Sequence, residues 1–310
     1  MVETTWRQTI PRRGHSVGVL EATDHAQVHI GDRYYGQDPA EQKRAEILRW
    51  LNPPTSAPPI TSRREPGTNS WFVDTEVFRS WHDGSDPHML VHGIVGCGKT
   101  TLATSIAKKC ADLELPGHRV VTFYFSSTVN EQLDVTALLL FLVAQLCVRQ
   151  EIPVPLRDLY NKHNRSYPAT APSDDELEEL VSKLLSQSPR SLYEHDPDDA
   201  ITRAYLIIDG LDEIRVRATR RTVLQYLNRV CALDPQRLRM LCTSRSEADI
   251  LSALRTDRGW KPLEIPKDRV RADIEVYVRK ELQRHEELDE LDQSVQDELL
   301  ARLAGPSQVM

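Results

Sequence analysis

The sequence lacks a long hydrophobic run and an apolar N-terminal segment. Its most hydrophobic stretch, residues 137–148, is too short to cross a bilayer and includes Gln145. The first ten residues carry Arg7 and threonines instead of the apolar core of a cleavable signal peptide. These absences predict a cytoplasmic protein without a membrane span.

Cysteine pairs with the spacing of metal or redox sites are also absent. The five cysteines are scattered along the chain without any C-x-x-C pair, which predicts buried thiols in a reducing compartment. Two charge-rich segments, 215–221 and 281–298, show no metal-ligand spacing and are expected to be solvated helical surfaces. No internal repeat is evident.

Positive charge is not in excess, because 39 Lys and Arg residues face 46 Asp and Glu residues, giving a formal net charge of −7. A general nucleic-acid-binding protein usually presents a basic face, so nucleic acid is not an expected partner. What the chain does have is an ordinary globular composition, 40% hydrophobic and 27% charged. Its 310 residues suffice for one large α/β domain with an extension, or for two small domains.

The most informative segment is Met89–Leu102, an apolar strand followed by G-x-x-x-x-G-K-T and a helix. This is the phosphate-binding P-loop in its required context. Its glycines permit close backbone approach, and successive N–H groups form a concave cradle at the start of the helix. Lys99 is expected to reach the β- and γ-phosphates, and the Thr100 hydroxyl to bind Mg²⁺. The predicted nucleotide-binding set is Gly93, Ile94, Val95, Gly96, Cys97, Gly98, Lys99, Thr100 and Thr101.

A second motif supplies the carboxylates that such a site requires. The four apolar residues 205–208 precede Asp209, which places this carboxylate at the carboxyl edge of the sheet, where ligands of α/β folds bind. Asp209 is the expected partner of Thr100 in binding Mg²⁺. Asp212 and Glu213 follow directly and are candidates for polarising the attacking water. An acidic turn after an ordinary strand is the alternative interpretation.

A third candidate site residue follows the strand that ends in C-T-S-R. An arginine at this edge, Arg245, is placed to sense the γ-phosphate and to stabilise the charge of the transition state. The alternative is a solvated turn residue.

The remaining pattern alternates strands and helices, which predicts a parallel sheet with helices on both faces. The residues before about 36 are expected to form a loose leader, and residues 152–172 and 188–199 to form loops. Three domains are predicted: 1–66, with a leader, a helix and a proline-rich linker; 67–267, the nucleotide-binding domain; and 268–310, C-terminal helices.

The expected strands are 88–94, 120–125, 205–208, 238–242 and 263–265. The expected helices are 38–51, 100–113, 134–150, 173–186, a helix containing 223–230, and one beginning near 268.

Taken together, these motifs resemble the NACHT domain of STAND signalling NTPases. The shared segments are G-x-x-G-x-G-K-T-T-L from Gly93, L-I-I-D-G-L-D-E from Leu206 and M-L-C-T-S-R from Met240. The lead-in G-T-N-S-W-F from Gly67 and the helix end I-L-R-W-L from Ile47 are similar to the nephrocystin-3-like N-terminal domain of fungal NOD-like receptors.

The resemblance covers about residues 45–283 and stops before the winged-helix and repeat regions of that family, so a truncated receptor, a stand-alone nucleotide module or a gene-model fragment is expected. It implies a P-loop NTPase sheet with strand order 5-1-4-3-2, slow hydrolysis that serves as a timer, and a closed ADP-bound form. It also implies self-association through the domain after ATP binding, and a signalling protein partner in innate immunity or heterokaryon incompatibility. Gly210 replaces the glutamate that fast ATPases carry after the aspartate, which fits weak catalysis.

The sequence therefore predicts Mg²⁺-dependent binding and slow hydrolysis of a nucleoside triphosphate in a conformational switch. ATP is favoured over GTP, because the guanine-reading pattern Asn/Thr-Lys-x-Asp is absent and the similar segment 161–164 ends in asparagine. The alternative is a non-catalytic interaction scaffold whose nucleotide is structural. A small-molecule kinase is a third interpretation, for which only the arginines of 215–221 offer lid residues.

Overall fold

The structure is a computed structural model that describes residues 8–10, 18–20, 39–56, 68–113, 115–126, 133–147, 151–165, 170–187, 189–193, 201–234, 236–285 and 292–303. It divides into two compact units, residues 1–43 and 44–310. In the first unit, strands β1 (Gln8–Ile10) and β2 (Gly18–Leu20) pair antiparallel. Most of the predicted proline-rich linker, from residue 57 onward, lies outside the described residues.

The second unit is built around a five-stranded parallel sheet. Its strands are β3 (His88–His92), β4 (His118–Tyr124), β5 (Arg203–Asp209), β6 (Leu238–Ser244) and β7 (Trp260–Glu264). Their order is β4-β5-β6-β3-β7, and every neighbouring pair is parallel. Numbered from the P-loop strand, this is the order 5-1-4-3-2, so the predicted fold class is confirmed.

Helices connect the strands and cover both faces of the sheet. None of the helices within the described ranges is both long enough and apolar enough to span a membrane. The helices are α1 (Pro39–Leu51), α2 (Ser70–Val73), α3 (Glu76–Asp83), α4 (Lys99–Asp112), α5 (Val135–Leu146), α6 (Val154–Asn164), α7 (Asp174–Ser186), α8 (Pro189–Leu192), α9 (Arg217–Cys231), α10 (Ala248–Ala253), α11 (Lys267–Arg284) and α12 (Gln293–Leu303).

The prediction of a loop over 152–172 is wrong, because α6 occupies much of it. Its prolines fall at the N-cap, Pro153, and in the first turn, where a missing N–H costs nothing. Leu156, Tyr160 and His163 then recur at helical spacing and are buried. The short α8 likewise lies inside the segment predicted as the loop 188–199, of which residues 188 and 194–199 lie outside the description.

Side chains of the central strand β5 alternate between the two faces of the sheet and pack in the hydrophobic core on each face. In β5, Leu206 and Ile208 join the core formed with α5, α7 and α9, whereas Tyr205 and Ile207 join the opposite core, which includes α3 and α4. Because strand side chains alternate between faces, a strand buried on both sides reads as a continuous apolar run. Asp209 continues the face that carries Tyr205 and Ile207, so its carboxylate points toward α4.

The segment ahead of β3 is anchored from two directions. The Arg239 side chain is fully buried and donates to the carbonyls of His82 and Asp83 at the end of α3, at 3.1 and 2.9 Å. On α11, the Asp273 carboxylate accepts the backbone N–H of Asn69 at 3.0 Å and the indole N–H of Trp71 at 3.1 Å. The aromatic residues Phe72, Phe78 and Trp81 are buried in the core that includes α3 and α4.

The first residue of β3 makes stability depend on pH. His88 is 2% exposed, its Nε2 donates to the Cys231 carbonyl at 3.0 Å, and burial lowers its pKa to about 4. Histidine in an unfolded chain titrates near 6.5. Between pH 6.5 and 4 the unfolded state therefore binds more protons, so the unfolding free energy falls with falling pH, by up to about 3 kcal/mol from this residue.

We expect His88→Gln to flatten this part of the pH dependence. Urea denaturation at several pH values between 4 and 7 measures the slope for both proteins. The control is His285→Gln, because this histidine is exposed and its replacement shows whether the loss of any histidine flattens the slope. An unchanged slope in His88→Gln contradicts the assignment.

Candidate functional site

A pocket of about 450 Å³ opens at the carboxyl ends of the central strands. The P-loop forms one wall, and the turns that follow β4, β5 and β6 form the others. Its lining residues are Val95, Gly96, Gly98, Lys99, Thr100, Thr101, Phe125, Ser126, Asp209, Gly210, Asp212, Glu213, Thr243 and Arg245.

Two glycines of the P-loop have backbone conformations that other residues rarely adopt. Gly96 has φ 75° and Gly98, the N-cap of α4, has φ 84°. A Cβ on either residue would meet no atom within 4 Å, so backbone geometry and not crowding selects glycine here. The loop thereby leads into the N-terminus of a 14-residue helix, where unpaired N–H groups and the helix dipole favour an anion.

The Lys99 ammonium lies over the loop that precedes it. Its Nζ donates to the carbonyls of Gly93 at 3.0 Å and Ile94 at 2.8 Å. These bonds fold the side chain back across the P-loop, so the charge lies at the rim of the pocket. An ammonium in this position is suited to pair with a phosphate oxygen.

The Asp209 carboxylate forms the floor of the site. It is 4% exposed and accepts hydrogen bonds from Thr100 Oγ1 at 2.7 Å and Thr243 Oγ1 at 2.6 Å. Burial raises the pKa of Asp209, whereas the two hydroxyl hydrogen bonds and the charge of Lys99 lower it. Three elements, α4, β5 and β6, therefore meet at one carboxylate.

Opposite charges meet at another side of the pocket. The Asp212 Oδ2 atom lies 2.9 Å from the Nε atom of Arg245, and its Oδ1 atom accepts the Arg245 backbone N–H at 2.9 Å. Both oxygens of Asp212 are thus bonded to the same residue. The pair brings the arginine predicted as a sensor beside the acidic motif that follows β5.

The donor set fits a magnesium ion shared with a polyphosphate. Hydroxyl and carboxylate oxygens, here from Thr100 and Asp209, are the hard ligands that Mg²⁺ prefers. Within the described part of the chain, no group of three or more His, Cys, Asp or Glu side chains is arranged to hold a metal ion. A Mg²⁺ ion held by Thr100 and Asp209 would take its other ligands from water and phosphate.

The structure brings most of the predicted site residues to the pocket, but three P-loop residues do not line it. Gly93, Ile94 and Cys97 lie outside the lining, and a Cβ on Gly93 would lie only 2.8 Å from Cys97 Sγ. Four lining residues were not among the predicted site residues: Phe125, Ser126, Gly210 and Thr243.

A signal for the missed residues exists in the chain. Phe125 and Ser126 follow the strand β4, which neighbours β5, so the strand order places them at the same edge. Thr243 is a polar residue near the end of the buried strand β6, and a buried hydroxyl requires a partner.

The fold and the site define the class of protein. A parallel sheet of order 5-1-4-3-2 with a G-x-x-x-x-G-K-T loop between β3 and α4 is a P-loop NTPase fold. The family model described as Nephrocystin 3, N-terminal, matches residues 67–245, which is more than half of the chain. The chain belongs to this family.

Solved structures with a similar fold share little sequence with the chain. Cdc6p from Pyrobaculum aerophilum is 15% identical over 73% of this chain and 51% of that chain, with a TM-score of 0.42. AMPPCP-bound DnaA from Aquifex aeolicus is 14% identical over 72% and 53%, with a TM-score of 0.36. Drosophila ORC bound to GC-rich DNA and Cdc6 is 13% identical over 87% and 83%, with a TM-score of 0.37.

The chain thus spans about half the length of the first two of these structures. Similarity of this extent carries no information on function. No significant match was found among curated protein sequences.

Proposed function

We propose that the chain binds a nucleoside triphosphate with Mg²⁺, ATP in preference to GTP, and hydrolyses it slowly as a conformational signalling switch of the NACHT and STAND type. The observation that carries the proposal is the hydrogen bond between Thr100 and Asp209. It joins the P-loop helix to a buried carboxylate of β5, although β6 lies between β5 and the P-loop strand β3 in the sheet.

The P-loop, Asp209 and Arg245 each have a role in this function. The amides from Gly96 onward, with the N-terminus of α4, bind phosphate oxygens. Lys99 pairs with the β- and γ-phosphates, and Thr100 and Asp209 hold Mg²⁺, which when bound neutralises charge that develops on the phosphates. Arg245 senses the γ-phosphate from the end of β6.

The ion pair in the pocket divides the acidic motif into two roles. Since both oxygens of Asp212 are bonded to Arg245, we assign Asp212 to positioning that arginine. The orientation of the attacking water then falls to Glu213, which also lines the pocket. Gly210 follows Asp209 where fast ATPases carry a glutamate, so hydrolysis should be slow.

The role of the P-loop lysine is tested by substitution. Lys99→Ala removes a charged hydrogen bond to phosphate, which is worth about 1.5–3 kcal/mol, so nucleotide affinity should fall about ten- to a hundredfold. Titration of purified protein with a fluorescent ATP analogue and Mg²⁺ measures the affinity, and calorimetry with ATP and GTP compares the bases.

Lys108→Ala is the matched control, because Lys108 lies on the same helix, α4, and is exposed. It should bind nucleotide as the parent does. A Lys99→Ala protein with parent affinity would refute the assignment.

Hydrolysis is tested at the acidic motif. Glu213→Gln keeps the size of the side chain but removes its charge, so single-turnover phosphate release should slow by about a hundredfold or more, with nucleotide affinity retained. Glu76→Gln, at an exposed position, should leave release unchanged. If the parent binds nucleotide but releases no phosphate at any Mg²⁺ concentration, the protein is a non-catalytic scaffold.

The switch is tested by the mass of the protein in solution. We expect the protein to self-associate with a non-hydrolysable ATP analogue and to stay smaller with ADP, because the proposed switch distinguishes the two through the γ-phosphate. Light scattering after size exclusion measures both states, with Lys99→Ala as the control that should not respond. Equal mass in both nucleotides argues against a switch that acts through self-association.

A further inference from the structure

The Asp209 carboxylate is held from two sides, and only one side belongs to the P-loop. Thr100 Oγ1, on α4, donates to Oδ2 at 2.7 Å, whereas Thr243 Oγ1, near the end of β6, donates to Oδ1 at 2.6 Å. The two threonines thus divide the two oxygens between them. Thr243 lies within the M-L-C-T-S-R segment from Met240, but only Arg245 of that segment was predicted as a site residue.

The direction of the Thr243 hydrogen bond is fixed by its second partner. The backbone N–H of Gly210 donates to the same Oγ1 at 3.0 Å, so the single hydroxyl proton of Thr243 goes to Asp209. Thr243 is 1% exposed, which keeps competing water away. Rotation of a carboxyl group about its last bond is soft, so anchoring Oδ1 also fixes the direction of Oδ2.

We propose that Thr243 is a positioning residue for Mg²⁺, which orients the Asp209 carboxylate so that Oδ2 faces Thr100. The inference rests on the proposed function. Thr243 is not itself a candidate ligand, because its hydroxyl is already engaged by Asp209 and Gly210. Its removal lets the carboxylate rotate and leaves the Gly210 N–H without its acceptor, so the metal site loses its geometry while the P-loop stays intact.

The test separates the metal from the nucleotide. Thr243→Val keeps the size and branching of the side chain but removes the hydroxyl. We expect the Mg²⁺ concentration for half-maximal binding of a fluorescent ATP analogue to rise about tenfold or more, the effect of losing one hydrogen bond to a charged group. Affinity for the same nucleotide in EDTA should equal that of the parent, and Mn²⁺ binding followed by electron paramagnetic resonance reports the metal directly.

Three comparisons show whether the hydroxyl acts through Asp209. Thr243→Ser retains the hydroxyl and should keep the parent Mg²⁺ requirement. Thr222→Val, which removes a hydroxyl bonded only within α9, should behave as the parent. In an Asp209→Asn background, Thr243→Val should add little, because residues that act as one unit are not additive.

Distinct results overturn the inference and the proposed function. If Asp209→Asn weakens Mg²⁺-dependent binding but Thr243→Val does not, the inference is wrong and the function stands. The inference is equally wrong if Thr243→Ser is as impaired as Thr243→Val, or if affinity in EDTA falls in parallel. A parent protein that binds no Mg²⁺-nucleotide overturns both together.

A folding defect would not remove the test. If circular dichroism shows that Thr243→Val is unfolded, Thr243→Cys replaces it, since a thiol is of similar size and a weaker donor. A raised Mg²⁺ requirement in Thr243→Cys supports the inference, and an unchanged one refutes it.

Discussion

The candidate site depends on one buried carboxylate and the two hydroxyls that donate to it. A charge removed from water is tolerated only when partners replace its hydration. Asp209 finds these partners on two other elements, Thr100 on α4 and Thr243 on β6. These two hydrogen bonds therefore fix the positions of α4, β5 and β6 relative to one another where the sheet meets the pocket. The geometry of the pocket depends on this contact.

The strand order explains why β6 has such a large part in the site. In the order β4-β5-β6-β3-β7, the strand that carries Asp209 and the strand that leads into the P-loop are separated by β6. Any contact between the two motifs must cross the end of β6, and Thr243 and Arg245 lie there, bonded to Asp209 and Asp212 respectively. The strand β6 contains no proposed ligand of Mg²⁺, but residues at its end bond to Asp209 and Asp212 and so fix the positions of both.

The sequence predicted what local patterns encode. Alternating strands and helices gave the parallel sheet, and the helix predicted over 173–186 is α7, which begins with a capping box at Ser173. The strand order came from the family resemblance, since periodicity does not specify which strands are neighbours. The helix α6 was missed because proline content was interpreted without its position in the first turn. The bonds of Thr243 were missed because they join residues 34 positions apart, and spacing along the chain carries no signal for such a contact.

The two cations of the pocket are bound to oxygens of the chain itself, and this constrains how a ligand is received. Lys99 donates to two carbonyls of its own loop, and Arg245 pairs with Asp212. A phosphate that engages either cation must replace bonds already formed, so the gain of about 1.5–3 kcal/mol expected for Lys99 is what remains after this exchange of partners. The affinity for a phosphate ligand therefore depends on the free energy needed to break the bonds that Lys99 and Arg245 form within the chain. Under the proposed function, the same exchange would let a γ-phosphate displace Arg245 from Asp212 and so transmit its presence to the end of β6.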